Sequence, residues 1–296
     1  DIRECEDLFD PQGFFKKLTS FLAGPEESRL SRPYALALHP NGLLVSDPGV
    51  GVVHFFNWQE KKYRRLGEDE DLLPSPVGVA VLPDGDVVVS DSRRGVIERF
   101  DPEGDHEGAF VPEGVLKRPA GLAVDPGTGK VYVADVLDHT IVVFSNEGNE
   151  LNRLGTRGAK EGAFNFPAHL SRTANGELLV TDTMNFRVQL IGRDGRSLQT
   201  YGRLGDGYGQ LSKPKGAVAD SKGNVLVVEG LYDALNFYNS EGELLLVLGQ
   251  PGSGPGEFWL PAGLAINHDD GLLFVADSYN SRVQVFRLLG GGGVEE

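Results

Sequence analysis

Six times along the chain a proline stands two residues ahead of an apolar run, which is followed by a glycine turn, a second apolar run and an acidic residue. The prolines are Pro33, Pro76, Pro119, Pro167, Pro214 and Pro261, at steps of 43, 43, 48, 47 and 47 residues. Three residues before each proline sits a large apolar residue (Leu30, Leu73, Leu116, Phe164, Leu211, Phe258), and four after it a mostly small one (Ala37, Ala80, Ala123, Ser171, Val218, Ala265). A period of this size, filled with short strands, predicts a β-propeller, in which each unit buries its apolar faces against its neighbours.

The units turn at Gly42, Gly85, Gly129, Gly176, Gly223 and Gly271 and pass through β-branched stretches such as LLVSD, DVVVSD, KVYVAD and LLFVAD. A third run follows (VVHFF, VIERF, TIVVF, RVQLI, ALNFY, RVQVF) and then a fourth, clearest in ELLLVLG at 243–249. These have the length and composition of strands. The expected fold is all-β, a six-bladed β-propeller of four-stranded antiparallel blades. Outer-strand candidates lie near Lys62 to Leu66, Gly108 to Val111, Leu151 to Leu154, Leu198 to Tyr201 and Leu244 to Leu248, but only RLLGGGGVEE follows Phe286. The last blade therefore lacks an outer strand. The spare apolar segment Phe14 to Leu22 is expected to supply it and so remove an exposed edge, although Phe14, Leu18, Phe21 and Leu22 also fit a short helix. This divides the chain into a lead at 1–13, a single domain at 14–289 and a glycine-rich tail at 290–296.

No apolar stretch approaches the ~20 residues of a membrane helix. Cys5 is the only cysteine, which rules out an internal disulfide and a cysteine cluster for zinc or iron–sulfur, and leaves a free thiol or an intermolecular link. The formal charge of −15, from 43 acidic and 28 basic residues, repels a polyanion. The basic clusters Lys61-Lys62, Arg64-Arg65 and Arg93-Arg94 are short and flanked by acids, so nucleic acid is disfavoured as a partner. The acidic balance, with a chain that begins at Asp1, makes an extracytoplasmic (periplasmic or secreted) location the expectation.

PAGLAINHDDGLLFVADSYNSRVQVF at 261–286, PAHLSRTANGELLVTDTMNFRVQLI at 167–191 and, more weakly, PKGAVADSKGNVLVVEGLYDALNFY at 214–238 resemble the NHL repeat. That pattern is P-x-G, a strand, a glycine turn, a strand ending in Asp, then N-x-R-V-x-V-F. The connections LGTRGAKEGAFNFP, YGRLGDGYGQLSKP and LGQPGSGPGEFWLP are similar to the family's glycine-rich linker, with Gly155, Gly202 and Gly249 each twelve residues before the proline. The resemblance covers about residues 30–288 and implies that Asn185 with Arg187, and Asn280 with Arg282, belong to the repeat's own turn. The first two units, with DPGVGVVHFF and DSRRGVIERF, lack the Asn-x-Arg element.

In such a blade the loop entering the inner strand and the loop between the second and third strands emerge on one face. The acids Asp47, Asp91, Asp135, Asp182, Glu229 and Asp277 each end a second strand there, in a ring. Six carboxylates invite a hard cation such as calcium in the central channel, whereas an acid at the head of a tight turn also accepts bonds from backbone N–H groups two or three residues on. Residues beyond the acids vary between units and are the candidates for gripping a protein or peptide partner: Arg93, Arg94, Leu137, His139, Met184, Phe186, Leu231, Tyr232 and Tyr279, together with His169 at the P-x-G position. Apolar residues gathered on one exposed face mark interaction sites.

Amidating lyases of similar fold hold zinc with three inward histidines, and lactonases resembling these proteins hold calcium with acids and Asn. Here His39 and His268 fall in inner turns on the opposite face, while His54, His106 and His139 occupy unrelated repeat positions, so no three share a register with His169. No Ser-His-Asp set is legible. Two functional classes follow. One is a non-enzymatic recognition scaffold, a subunit of an extracytoplasmic assembly among its forms; the other is a metal-dependent propeller hydrolase or lyase with a channel cation.

Overall fold

The computed structural model describes residues 29–288. Blade 1 comprises β1 (Leu36–His39), β2 (Gly42–Asp47), β3 (Val52–Asn57) and β4 (Lys62–Leu66), and blade 2 comprises β5 (Pro76–Val81), β6 (Val87–Asp91), β7 (Val96–Phe100) and β8 (His106–Val111). Blade 3 is β9 (Pro119–Val124), β10 (Val131–Asp135), β11 (Thr140–Phe144) and β12 (Glu150–Leu154). Blade 4 is β13 (Pro167–Arg172), β14 (Leu178–Asp182), β15 (Arg187–Ile191) and β16 (Ser197–Tyr201), and blade 5 is β17 (Pro214–Ala219), β18 (Val225–Glu229), β19 (Ala234–Tyr238) and β20 (Leu244–Leu248). Blade 6 has β21 (Pro261–Asn267), β22 (Leu272–Asp277) and β23 (Arg282–Arg287). Each blade is a meander of antiparallel neighbours, four strands in blades 1 to 5 and three among the described residues of blade 6. Residues 14–22, the segment expected to complete blade 6, lie outside the described residues, as do Cys5, the lead and the tail.

Burial follows strand position. The second strands β2, β6, β10, β14, β18 and β22 are almost wholly buried on both faces, which is why they read as continuous apolar runs rather than alternating ones. Outer strands lie at the rim; in β20 the three middle residues are exposed. Between each pair of neighbouring blades sits one apolar cluster, and the cluster joining blade 6 to blade 1 packs Leu43, Val45 and Phe56 against Leu272, Phe274 and Ala276. Each large side chain buried in this way contributes ~1.5–3 kcal/mol. The same junction carries hydrogen bonds from Ser278 Oγ to Pro33 O (2.5 Å) and from Ser281 Oγ to Ser31 O (2.8 Å). The ring is thus closed by blade packing within residues 29–288.

The P-x-G glycine has a steric cause. A β-carbon at Gly121 would stand 2.6 Å from Leu170 N and 2.7 Å from His169 Cα, and one at Gly216 would stand 2.7 Å from Ala262 O. Inner strands of neighbouring blades meet there around the axis, too closely for a side chain directed at the next strand.

Candidate functional site

All six acids that end the second strands are buried. Each accepts hydrogen bonds from backbone N–H groups of the segment leading into its own inner strand, 15 to 18 residues earlier. Asp47 holds Ser31 (2.6 Å) and Arg32 (2.9 Å), Asp91 holds Ser75 (2.6 Å), Asp135 holds Lys117 and Arg118 (both 2.9 Å), Asp182 holds Asn165 (2.6 Å), Glu229 holds Ser212 (2.8 Å) and Lys213 (2.9 Å), and Asp277 holds Trp259 (2.8 Å). Asp47, Asp91 and Glu229 also accept from an N–H two residues on, at Gly49, Arg93 and Leu231. The acids are therefore latches that fasten the incoming linker to the blade, with charge stabilised by several N–H dipoles. Burial pushes the Asp47 carboxyl up, but His54 and the N–H groups of Ser31 and Arg32 outweigh it and hold that carboxyl below the usual aspartate value. None of the six lines the channel cavity. Among the described residues no group of three or more His, Cys, Asp or Glu is placed to share a metal ion.

Blades 4 and 6 reinforce the latch with the same three side chains. Asp182 Oδ2 accepts from Asn185 Nδ2 (2.8 Å), Arg187 Nε (2.9 Å) and Gln189 Nε2 (3.1 Å). Those donors then reach the linker: Asn185 to Gly158 O, Arg187 to Lys160 O and Ala163 O, Gln189 to Ala163 O. Asn280, Arg282 and Gln284 repeat the arrangement on Asp277 and on the carbonyls of Gly252, Gly254 and Glu257. The Asn-x-Arg-x-Gln stretch is thus a clamp: Arg and Gln, two apart on the third strand, share one face, and Asn joins them from the 3-10 turn just before that strand.

Blade 5 keeps the glycine-rich linker but not the clamp. Tyr232, Ala234 and Asn236 stand where the other two blades have Asn, Arg and Gln. Glu229 is held by backbone N–H groups alone and takes part in no ion pair among the described residues. A cavity of about 430 Å³ opens there, lined by Asp206, Gly207, Tyr208, Gln210, Glu229, Tyr232, Ala234 and Asn236 among others. Tyr208 is 91 % exposed at its edge.

Of the sequence-predicted contact residues, Arg93, Leu137, Met184, Leu231, Tyr232 and Tyr279 are exposed on the loop face. Arg94 instead turns inward: its guanidinium bonds Leu72 O and Glu98 (both 2.8 Å) and ties the blade 2 linker. His139 is buried, its Nδ1 accepting from the Phe166 N–H (3.1 Å) and its ring edge-on to Phe166 (centroids 4.6 Å apart). Burial, and then the charge of Arg157, lowers its pKa. Phe186 is part-buried. His139 and Phe186 share the fourth position after their acid, which is left-handed in every blade, with φ of 56° at both, 53° at Asp233 and Ser281, 71° at Gly51 and 75° at Gly95. That backbone turn takes the side chain out of the loop crest. Leu204, Tyr208 and Trp259, on the linkers, are exposed beside the predicted set and were not expected; Trp259 packs against Tyr279 with ring centroids 5.8 Å apart. Their positions belong to the family's spacer, where only their bulk in a glycine-rich run signals a surface role.

His169 lies inside the channel, touching both a cavity of about 630 Å³ and a narrow neck formed with Tyr34, Lys215, Gly216 and Gly263. Its Nδ1 accepts from Ala217 N–H (3.4 Å), and burial lowers its pKa to about 4. The wide cavity reaches Asp125 and His268 in turns between first and second strands, Arg172 at the end of β13 and Arg193 in the turn between β15 and β16, so it opens on the face opposite the acid latches. Arg172 is anchored there by Asp125 (3.0 Å).

The NHL repeat matches residues 73–100, 116–144 and 258–286, in blades 2, 3 and 6. No curated protein matches the sequence. Among solved structures, virginiamycin B lyase from Staphylococcus aureus is 13% identical with a TM-score of 0.63, over 88% of this chain and 87% of that one. An auxiliary nutrient binding protein from Bacteroides ovatus is 13% identical with a TM-score of 0.67, over 87% and 69%. A putative phosphatase from Bacteroides thetaiotaomicron is 12% identical with a TM-score of 0.69, over 91% and 74%. At these identities the likeness is one of fold, and that fold carries unrelated chemistries.

Proposed function

This chain is an NHL-repeat, six-bladed β-propeller, and on that premise we propose that it works as a recognition scaffold, gripping a protein or peptide partner with the face that carries the loops between second and third strands. The observation that carries this reading is the crown of exposed apolar and aromatic side chains over blades 4 to 6: Met184 at 49 %, Leu231 at 55 %, Tyr232 at 42 %, Trp259 at 54 % and Tyr279 at 51 % exposure. Large side chains left in water at adjoining loops of a rigid ring are costly unless covered part of the time, and aromatic residues on a firm frame supply contact area at little entropic cost. The frame is firm because every loop is latched through a buried acid. The nutrient binding protein of like fold is consistent with a binding role.

A photo-crosslinking amino acid placed at Tyr279 or Tyr232, in the full chain in its native cells, is expected to trap one recurrent protein adduct. The same group at Lys222 or Asn146, in the turns of the opposite face, is expected to trap none of it. Equal adducts from both faces, or none from the crown, would overturn the proposal.

A further inference from the structure

We propose that the cavity in blade 5 is a receptor for an arginine side chain contributed by the partner. The inference rests on reading this face as the partner surface, and its evidence is internal to the chain. Blades 4, 5 and 6 share one linker: Gly158, Gly205 and Gly252 correspond, as do Lys160, Gly207 and Gly254, and Ala163, Gln210 and Glu257. In blades 4 and 6 a guanidinium fills the space between this linker and the third strand, bonded to the carbonyls of Lys160 and Ala163 or of Gly254 and Glu257, and to the latch carboxylate. In blade 5 the linker keeps its course, with the same bridge between Leu204 and Leu211 that the other two make at Arg157 with Phe164 and Pro251 with Phe258. The side chain that should fill the space ends at the β-carbon of Ala234.

What remains is a mould of a guanidinium with its acceptors in place. Gly207 O and Gln210 O occupy the positions that the arginines engage. Gln210 O receives only a long bond from Asn236 Nδ2 (3.3 Å), and Gly207 O receives the turn N–H of Gln210 (3.0 Å), as its counterparts do beside their arginines. Glu229 supplies a buried negative charge that no side-chain cation meets among the described residues, and Asp206 adds a second carboxylate at the rim. Tyr208 and Tyr232 flank the opening, where a cation can lie over an aromatic face. Planar, forked donation to carbonyl and carboxylate oxygens is the chemistry of arginine rather than lysine. The net charge of −15 favours a basic segment in the approach.

The test is calorimetric titration of the full chain with N-acetyl-Gly-Arg-Gly-amide and with its citrulline counterpart, which has the same shape and no charge. The arginine peptide is expected to bind in the roughly millimolar range, and citrulline at least about tenfold more weakly, the difference that charge-assisted bonds supply. Ala234→Arg, which restores the native filling of the neighbouring blades, is expected to abolish peptide binding while melting at or above the wild-type temperature. Ala234→Met fills the space without charge and is expected to abolish binding as well. Equal affinity for the two peptides, undiminished binding to either variant, or no binding to the wild type would overturn the inference. Crosslinking from Tyr279 that persists while peptide binding fails leaves the face reading intact and removes only the pocket. Peptide binding without crown adducts does the reverse.

Discussion

Blades 4 and 6 hold their buried carboxylates with three side chains from one short stretch, whereas blade 5 holds Glu229 with backbone alone. At the latch and clamp positions the difference is four residues, Glu229, Tyr232, Ala234 and Asn236 in place of Asp, Asn, Arg and Gln. It teaches that latch and clamp are separable: the acid fastening the linker is present in all six blades, and the arginine is an addition. Where the arginine is absent but the long linker remains, space opens. In blades 1 and 2, with shorter connections, the position seven after the acid becomes His54, close to Asp47 at 3.4 Å, and Glu98, paired with Arg94 at 2.8 Å.

The sharpest way to break this comparison is Arg187→Ala, which strips the cation from a fully buried Asp182 and leaves two linker carbonyls short of a donor. It is expected to cost about 3 kcal/mol in denaturant unfolding, and a loss near zero would mean that the clamp is decorative. Gln284→Leu removes one of the two neutral donors to Asp277, its bond to Glu257 O and the acceptor that Gly256 N–H uses at 3.0 Å, and is expected to cost about 1–2 kcal/mol. Blade 4 differs a third way, through His169 in the channel. Its folded pKa of about 4 lies below the ordinary 6.5, so between those values the unfolded chain binds more protons and stability falls on acidification, at no more than ~1.4 kcal/mol per pH unit. His169→Gly, the residue at this position in blades 2, 3, 5 and 6, is expected to flatten the pH dependence over that window; an unchanged slope would place the titration elsewhere. The smallest effect is the gain expected from Ala234→Arg, about 1 kcal/mol, checked by its unfolding midpoint against wild type.

The architecture was legible because propeller physics repeats. Proline phase, inner-strand glycine and doubly buried second strands each recur at the blade period, and five outer strands fall within two residues of the segments expected for them. The role of the six acids was only half legible. Bonds to N–H groups two residues on follow from local turn chemistry, but those to the linker span 15 to 18 residues and depend on the blade bringing both ends of a meander to one edge. Position after the acid was likewise a poor guide to exposure. His139 and Phe186 sit on a left-handed residue that turns them back, and Arg94 reaches inward to Leu72 O, while the linker aromatics Tyr208 and Trp259 stand out in water. The blade 5 cavity was present in the letters as Ala234 against Arg187 and Arg282, a difference that acquires meaning only once the guanidinium is seen filling its space twice.

Backbone amide hydrogen exchange of the three glycine-rich linkers tests the central claim most directly. The connections 155–166 and 249–260, tied by arginine clamps, are expected to exchange about tenfold more slowly than 202–213, and Ala234→Arg is expected to bring the third into line with the other two. Equal protection of all three linkers in the wild type would contradict the account, because the arginines would then fasten nothing that the acid latches do not already hold.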